Sequence, residues 1–373
     1  MDIIELMTQL VSISSVFPKE QRVAEFIEDF LKRNEFITER VLTSRNRFNI
    51  VATSSPSSHF VGFYGHMDTV PPDVHYAHNP FKVESDAKRA HGLGVADMKG
   101  GIAACLLAGV WGKQNGVPVK LVFGVDEENI SQGAHDLVSS GKLSDIDCMI
   151  VAESGQAADL KEPFSVCYGR KGRVLYELVV SGKTAHAAES SIAVNAIEQM
   201  ALCVEFLSIY SFLAHTQLGK TVIVIHSVHG ASDSFSVPDS CRLQFSVLTT
   251  PNADLPLFEK SFAEFCKGNN IVYDLHLVSR PTPYASSYEV DRDNEFVQQI
   301  ESIFNKHGVE PRYTSSVADE NVFAHRLGIP VVTVGPIGGG DHTKNEWVDL
   351  QSLRMIEEVY REIMRTFKMS IKS

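Results

Sequence analysis

Several apolar runs in the chain end in histidine or carboxylate side chains. These side chains are His66 and Asp68 after the run 59–65, Glu127 and Glu128 after 117–125, Glu153 after 148–152, and His342 after 329–335 and a glycine loop. Imidazole and carboxylate groups bind divalent metals and exchange protons with substrates. The pattern therefore indicates acid–base or metal-assisted chemistry.

A further candidate, Asp97, lies in the glycine-rich stretch HGLGVADMKGG (91–101). The part GLGVAD resembles a dinucleotide-binding loop, but the third glycine of that fingerprint is missing and the signal is weak. Each candidate by itself has an ordinary explanation, such as a hydrogen-bonded surface histidine or a solvated carboxylate. Different segments nevertheless place two histidines and several carboxylates at one sheet edge, and these are together the ligand types of a two-zinc site.

The elements that would position these side chains are apolar strands separated by helices. The segment 19–34 carries an apolar stripe at helical spacing, and GGIAACLLAGVW (100–111) is a second helical segment. Apolar strands that alternate with helices predict an α/β domain with a mixed, largely parallel sheet flanked by helices. Ligands bind at the carboxyl ends of the strands in such a sheet, where the candidate residues lie.

The middle of the chain has a different order of elements. Residues 173–282 predict β-α-β-β-α-β, which is the order of a ferredoxin-like sandwich. Glycine and proline mark candidate hinges near 169–173 and 279–284. We therefore predict a discontinuous catalytic domain, 1–172 with 283–373, and an inserted lid or dimerisation domain, 173–282.

Composition limits the classes of partner. The 373 residues carry a formal net charge of -12, which argues against nucleic acid or an anionic membrane and favours a small-molecule substrate. The N-terminus MDIIELMTQL is acidic where a signal peptide is basic, and we expect no apolar stretch that approaches the roughly 20 residues of a membrane span. These two features lead us to expect a cytoplasmic location. The six cysteines show no CxxC pattern and no tight spacing, so we expect reduced, mostly buried thiols.

Six motifs resemble the co-catalytic zinc aminoacylase and carboxypeptidase family, which includes acetylornithine deacetylase and succinyl-diaminopimelate desuccinylase. They are GHMDTVPP, GLGVADMKGG, GVDEE, AES, GKTAHAAE and GPIGGGDHTKNEWV, in the order in which that family has them. The resemblance implies two Zn2+ per chain, with Co2+ or Mn2+ as alternatives. It assigns His66, Asp97 and Glu153 to one ion, and Asp97, Glu128 and His342 to the other, with Asp97 as the bridge.

The resemblance also implies roles for residues around the metals. Asp68 would hydrogen-bond the imidazole of His66 and fix its tautomer. Glu127 would be the general base toward a metal-activated water. On an extended backbone the side chains of Glu127 and Glu128 would point in opposite directions, which separates their roles. His186 in GKTAHAAE would stabilise the oxyanion of the tetrahedral intermediate from the other subunit of a homodimer; the alternative is a polar residue in an exposed loop.

Residues that would bind the substrate are less well defined. Arg170 and Lys171 in GRKG are candidates for binding a substrate carboxylate, and the alternative is a pair of solvated hinge charges. The sequence departs from the family pattern at Phe235, where relatives often have asparagine, and at Ser246 and Leu248, where many have an acidic residue and an arginine. These departures leave the usual substrate contacts open.

The favoured function is hydrolysis of the amide bond of an N-acyl amino acid, as in acetylornithine, acetyl-lysine or succinyl-diaminopimelate deacylation. A metallo-exopeptidase, such as a carboxypeptidase or dipeptidase of the same family, is the alternative with the same mechanism. A non-catalytic nucleotide-binding α/β protein is the alternative from a different class. The absence of a Walker-type lysine loop and of a complete dinucleotide fingerprint argues against the last one.

Overall fold

A computed structural model describes residues 1–44, 46–76, 79–156, 162–232 and 235–370. The helices in these ranges are α1 Ile3–Ser12, α2 Gln21–Arg33, α3 Gly100–Gln114, α4 Gln132–Ser139, α5 Ala196–Ile209, α6 Leu255–Gly268, α7 Glu295–Lys306, α8 Asp319–Leu327 and α9 Leu350–Ser370. The strands are β1 Ile37–Ser44, β2 Arg47–Thr53, β3 Phe60–His66, β4 Glu84–Ser85, β5 Arg89–His91, β6 Val119–Gly124, β7 Ile146–Val151, β8 Gly155–Gln156, β9 Ser165–Arg170, β10 Gly172–Ser181, β11 Val222–Gly230, β12 Ser240–Thr249, β13 Val272–Leu277, β14 Tyr288–Glu289, β15 Arg312–Thr314, β16 Val331–Gly335, β17 Ile337–Gly339 and β18 Trp347–Asp349.

The chain divides into two compact units. The first comprises Met1–Gly169, Glu289–Tyr313 and Ala318–Ser373, and the second comprises Arg170–Tyr288 and Thr314–Val317. The segment 19–34, predicted as helical, contains α2, and its apolar stripe is buried at Val23, Ile27 and Leu31. This burial is what an amphipathic helix gains by packing on a sheet.

The main sheet of the first unit runs in the order β1-β2-β6-β3-β7-β16-β9. Neighbouring strands from β6 through β16 are parallel, and the pairs outside this run are antiparallel. β3 and β6 are buried along their whole length, because helices cover the sheet. The predicted α/β fold with a mixed sheet flanked by helices is confirmed.

One helical segment among the described residues, Val95–Gln114, is long and apolar enough to cross a membrane by length and composition, and 78 % of its apolar window is buried inside the protein. The expectation that no apolar stretch approaches this length is therefore wrong. The segment is apolar because α3 packs against β3, β6 and α9. A Cβ atom on Gly101 would lie 1.9 Å from the carbonyl oxygen of Ala152, so α3 begins in direct backbone contact with the end of β7.

The second unit has the element order β10-α5-β11-β12-α6-β13. Its four-stranded sheet runs β11-β12-β10-β13, and all of its neighbours are antiparallel. The helix α5 packs against β10, β11 and β12. The buried aromatic side chains at the centre of this unit are Tyr176, Phe245, Phe258 and Phe262.

Candidate metal centre

The parallel strands of the first unit deliver the candidate side chains to one sheet edge. His66 is the last residue of β3, which lies between β6 and β7. β6 ends at Gly124 and leads to Glu127 and Glu128, and β7 ends at Val151, two residues before Glu153. Since parallel strands point their carboxyl ends the same way, these side chains meet.

The first cluster consists of His66, Asp97 and Glu153. Nε2 of His66 lies 2.8 Å from Oδ1 of Asp97 and 3.4 Å from Oε2 of Glu153. His66 is buried, which fixes the ring at the end of its strand. One ligand atom from each residue lies within 4.8 Å of the others, which is close enough for all three to hold one ion.

The second cluster consists of Asp97, Glu128 and His342. Nε2 of His342 lies 3.1 Å from Oδ2 of Asp97 and 3.1 Å from Oε2 of Glu128. Asp97 therefore turns one oxygen toward each imidazole, Oδ1 toward His66 and Oδ2 toward His342. The structure thus brings together the five side chains that the family resemblance proposes as ligands, in the two groups that it implies.

The turn that carries Glu127 and Glu128 differs from the sequence-based expectation. Asp126 has a φ of 74°, and a turn follows it in place of an extended segment. The two carboxylates consequently do not point in opposite directions as expected. Ligand atoms of His66, Glu127 and Glu128 all lie within 4.8 Å of one another, so both acids belong to the cluster.

Asp68 hydrogen-bonds the imidazole of His66, as expected, but it does so through its main-chain oxygen. Nδ1 of His66 lies 3.1 Å from the main-chain oxygen of Asp68, whereas the carboxylate is 3.6 Å away, beyond direct hydrogen-bond distance. The carboxylate instead accepts the backbone N–H of Glu127 at 3.3 Å and that of Glu128 at 3.0 Å. Asp68 therefore orients His66 through its carbonyl and anchors the Glu127–Glu128 turn through its side chain.

The acids of the cluster have pKa values displaced from their ordinary range. Burial, together with the negative charge of Asp97, raises the pKa of Glu153 to about 8. Burial also raises the pKa of Glu127 and that of Glu128, and neighbouring carboxylates add to both shifts. Hydrogen bonds to Asp97 and Glu128 raise the pKa of His342 to about 11. The buried carboxylates concentrate negative charge in a part of the protein with little water, and a divalent cation would neutralise it. This set of imidazoles and carboxylates therefore fits Zn2+, Co2+ or Mn2+.

A buried ion network that the sequence analysis missed supports the Glu127 turn. The guanidinium of Arg47 on β2 lies 2.6 Å from Oε1 of Glu20 and 2.8 Å from Oδ1 of Asp126. The other oxygen of Asp126 accepts the backbone N–H of Gln132 at 3.0 Å. One signal was available in the sequence, an arginine at the start of the apolar strand RFNIVAT.

The remaining predicted site residues belong to the second unit. His186 is exposed, and its Nδ1 accepts the backbone N–H of Ala188 at 3.1 Å, which leaves the ring proton of a neutral imidazole on Nε2. Arg170 and Lys171 are only 6 % and 5 % exposed. The interpretation of these two residues as solvated hinge charges is therefore wrong.

Both basic side chains bind other parts of the second unit. Arg170 donates to Oγ of Ser316 at 2.5 Å, and Nζ of Lys171 donates to the carbonyl of Lys220 at 2.6 Å. Among the departures from the family pattern, Ser246 is buried with its Oγ 2.9 Å from Nε2 of His226. A role of Arg170 or Lys171 in binding substrate stays a prediction.

Comparisons with known proteins identify a family and relatives of this chain. The family model for peptidase family M20/M25/M40 matches residues 62–366. An acetylornithine deacetylase from Buchnera aphidicola subsp. Schizaphis graminum is 25% identical and is matched over 97% of its length by 98% of this chain. A succinyl-diaminopimelate desuccinylase from Wolbachia pipientis subsp. Culex pipiens is also 25% identical, with 93% of its length and 98% of this chain covered.

Solved structures share the fold. The aminopeptidase PepT from Bacillus cereus superimposes with a TM-score of 0.79 at 18% identity, over 98% of each chain. A dinuclear metal binding peptidase from the M20 family of Bacillus subtilis has a TM-score of 0.76 at 15% identity, over 97% of this chain and 96% of its own.

Proposed function

The chain belongs to peptidase family M20/M25/M40, and we propose that it removes the acyl group from N-acyl amino acids at a centre of two divalent cations. Members of this family are metal-dependent hydrolases of amide and peptide bonds, and this chain is an enzyme of that class. The interpretation as a non-catalytic nucleotide-binding protein is therefore wrong.

The observation that carries the proposal is the position of Asp97 between two groups of ligands. His66 and Glu153 complete the group on one side of Asp97, and Glu128 and His342 complete the group on the other. A carboxylate that offers one oxygen to each of two groups is what a bridged pair of ions requires. We propose Zn2+ as the resident ion, with Co2+ or Mn2+ as alternatives.

Glu127 and Asp68 have different roles in the proposed hydrolysis. Bound divalent cations lower the pKa of a water molecule and polarise an amide carbonyl. Glu127, whose carboxylate lies in the cluster beside His66, accepts the proton of the attacking water and returns it to the departing amine. Asp68 keeps Glu127 in place by accepting its backbone N–H.

The choice of an N-acyl amino acid over a short peptide rests on sequence relatives. The relatives named acetylornithine deacetylase and succinyl-diaminopimelate desuccinylase match almost the whole chain. The structural resemblance to peptidases concerns the fold alone. Metallo-exopeptidase activity, by the same mechanism, is the second candidate.

A panel of substrates tests this choice. Protein reconstituted with Zn2+ or Co2+ would be assayed on acetyl and succinyl derivatives of ornithine, lysine and diaminopimelate, and on dipeptides, with Glu127→Gln as the inactive control. We expect a higher kcat/KM for at least one acyl amino acid than for any dipeptide. The reverse order would favour the exopeptidase, and hydrolysis of neither class would refute both assignments.

We further propose that the predicted insertion 173–282, which lies within the second unit, is a ferredoxin-like lid and dimerisation domain; the unit itself extends over Arg170–Tyr288 and includes Thr314–Val317. The element order of the second unit and its antiparallel sheet support this assignment. We also propose that His186 donates to the oxyanion of the intermediate across a homodimer. A donor proton on Nε2 is consistent with that role.

A further inference from the structure

Glu346 is a buried carboxylate that no part of the proposed mechanism uses. It is 1 % exposed and follows His342 by four residues in the motif GGGDHTKNEWV. Its Oε2 accepts the backbone N–H of Gly94 at 2.8 Å, and its Oε1 accepts those of Ala96 at 2.9 Å and Asp97 at 3.1 Å. One side chain therefore satisfies three donors of the loop that carries Asp97.

The segment around Glu346 is itself fixed to the strand that precedes this loop. Trp347 and Val348 on β18 pair with His91 and Ala90 on β5. On its other side β18 pairs with β17, which leads to the His342 loop. The Glu346 carboxylate closes this arrangement, because it joins the chain that carries His342 to the backbone of Asp97.

The hydrogen bond from the Asp97 N–H to Glu346 restrains the residue whose carboxylate lies between the two ligand groups. The direction of the Asp97 backbone N–H fixes the local backbone, and the backbone determines where the two carboxylate oxygens lie. Those oxygens are 2.8 Å from His66 and 3.1 Å from His342, so a small rotation of the backbone removes one of the two approaches. Hydrogen bonds from N–H groups to a carboxylate are short and strong, which suits this restraint.

We propose that Glu346 is a positioning residue that holds Asp97 in place between the two ligand groups and thereby sets the affinity for divalent cations. The inference rests on the proposed two-metal function. A carboxylate that only stabilised the fold would affect the melting temperature and leave metal affinity unchanged, and that difference makes the inference testable.

The variant Glu346→Gln tests it with the smallest change in shape. An amide has one oxygen, so its NH2 group must face either the N–H of Gly94 or those of Ala96 and Asp97, where no acceptor is available. Chelator-treated full-length protein would be titrated with Co2+ and followed by visible absorption, which reports ligand geometry directly. We expect a loss of about 10- to 100-fold in Co2+ affinity at one site or both, with an altered spectrum.

The matched control is Glu28→Gln. Glu28 is also buried, but it lies on α2 and binds the side chains of Arg40 and Lys32. We expect this control to lower the melting temperature and to bind Co2+ as the wild type does.

Wild-type Co2+ affinity and spectrum in Glu346→Gln, at any melting temperature, would overturn the inference. If that variant does not fold, Glu346→Asp replaces it. Its carboxylate is one methylene shorter and cannot reach both Gly94 and Asp97, so weaker Co2+ binding is expected and unchanged binding refutes the inference. Wild-type protein that takes up no Co2+ would refute the two-metal proposal itself, and this inference with it.

Discussion

Replacement of Arg47 by methionine removes the cation that two buried carboxylates share. The side chains of Glu20 and Asp126 are 0% and 2% exposed, whereas that of Arg47 is 16% exposed. Loss of one partner from a buried ion pair costs about 3 to 5 kcal/mol, because the remaining charge is left without a partner. We expect Arg47→Met to lower the free energy of unfolding by about that amount.

The position of the two tryptophans makes this change measurable in the first unit alone. Trp111 on α3 and Trp347 on β18 are the only tryptophans of the chain, and both belong to the unit that contains Arg47. Urea unfolding followed by tryptophan fluorescence therefore reports on this unit. The control is Arg40→Met, since Arg40 is 43% exposed and its partner Glu28 keeps Lys32 at 3.1 Å. A cost of up to about 1 kcal/mol is expected there.

The pH dependence provides a second check on Arg47. Burial raises the pKa of Glu20 in the intact protein, and Arg47 opposes that rise, so the pKa in Arg47→Met rises further. A carboxyl whose pKa is higher in the folded than in the unfolded chain binds more protons when folded. The free-energy cost that it imposes on folding is therefore complete above the folded pKa, and it decreases as the pH falls toward the unfolded pKa. The stability difference should therefore be smaller near about pH 5 than near about pH 8. A loss no larger than that of Arg40→Met at neutral pH would refute the reasoning.

Three further predictions concern the site itself. Glu127→Gln should retain metal and lose turnover by at least about 10^2-fold, measured as kcat and metal content; near-normal turnover would remove Glu127 from the mechanism. His342→Ala should weaken one of two Co2+ binding steps in a spectroscopic titration, and unchanged binding at both would show that His342 is not a ligand. Mixing inactive His186→Ala and Glu127→Gln chains should restore some activity if His186 serves the partner subunit, and no recovery despite proven subunit exchange would contradict a shared site.

The sequence predicted the parts of the site that follow from strand direction. His66, Glu153 and the Glu127–Glu128 pair end or follow buried parallel strands, and a parallel sheet places such residues at one edge whatever the details of the loops. Asp97 was recognised by its glycine-rich surroundings and by resemblance to a family, and membership of that family is confirmed.

The parts that could not be predicted depend on the direction of backbone groups. The alternation expected for Glu127 and Glu128 assumes an extended chain, and the positive φ of Asp126 replaces it with a turn. The same turn presents two N–H groups to Asp68, and its carboxylate accepts both while it lies 3.6 Å from Nδ1 of His66. The network of Arg47 joins residues that are 27 and 79 positions apart, a separation at which spacing carries no information.

The contact between Gly101 and Ala152 bears on how this centre could be re-engineered. Gly101 lies four residues after Asp97, and Ala152 directly precedes Glu153. Main chain touches main chain at this point, with no space for even a methyl group. This contact therefore sets the separation of the backbone segments that carry Asp97 and Glu153. Exchange of the ligand side chains alone does not change that separation. The substitution Gly101→Ala would force the start of α3 away from Ala152. A redesign of the centre for a larger ion should therefore begin at this position.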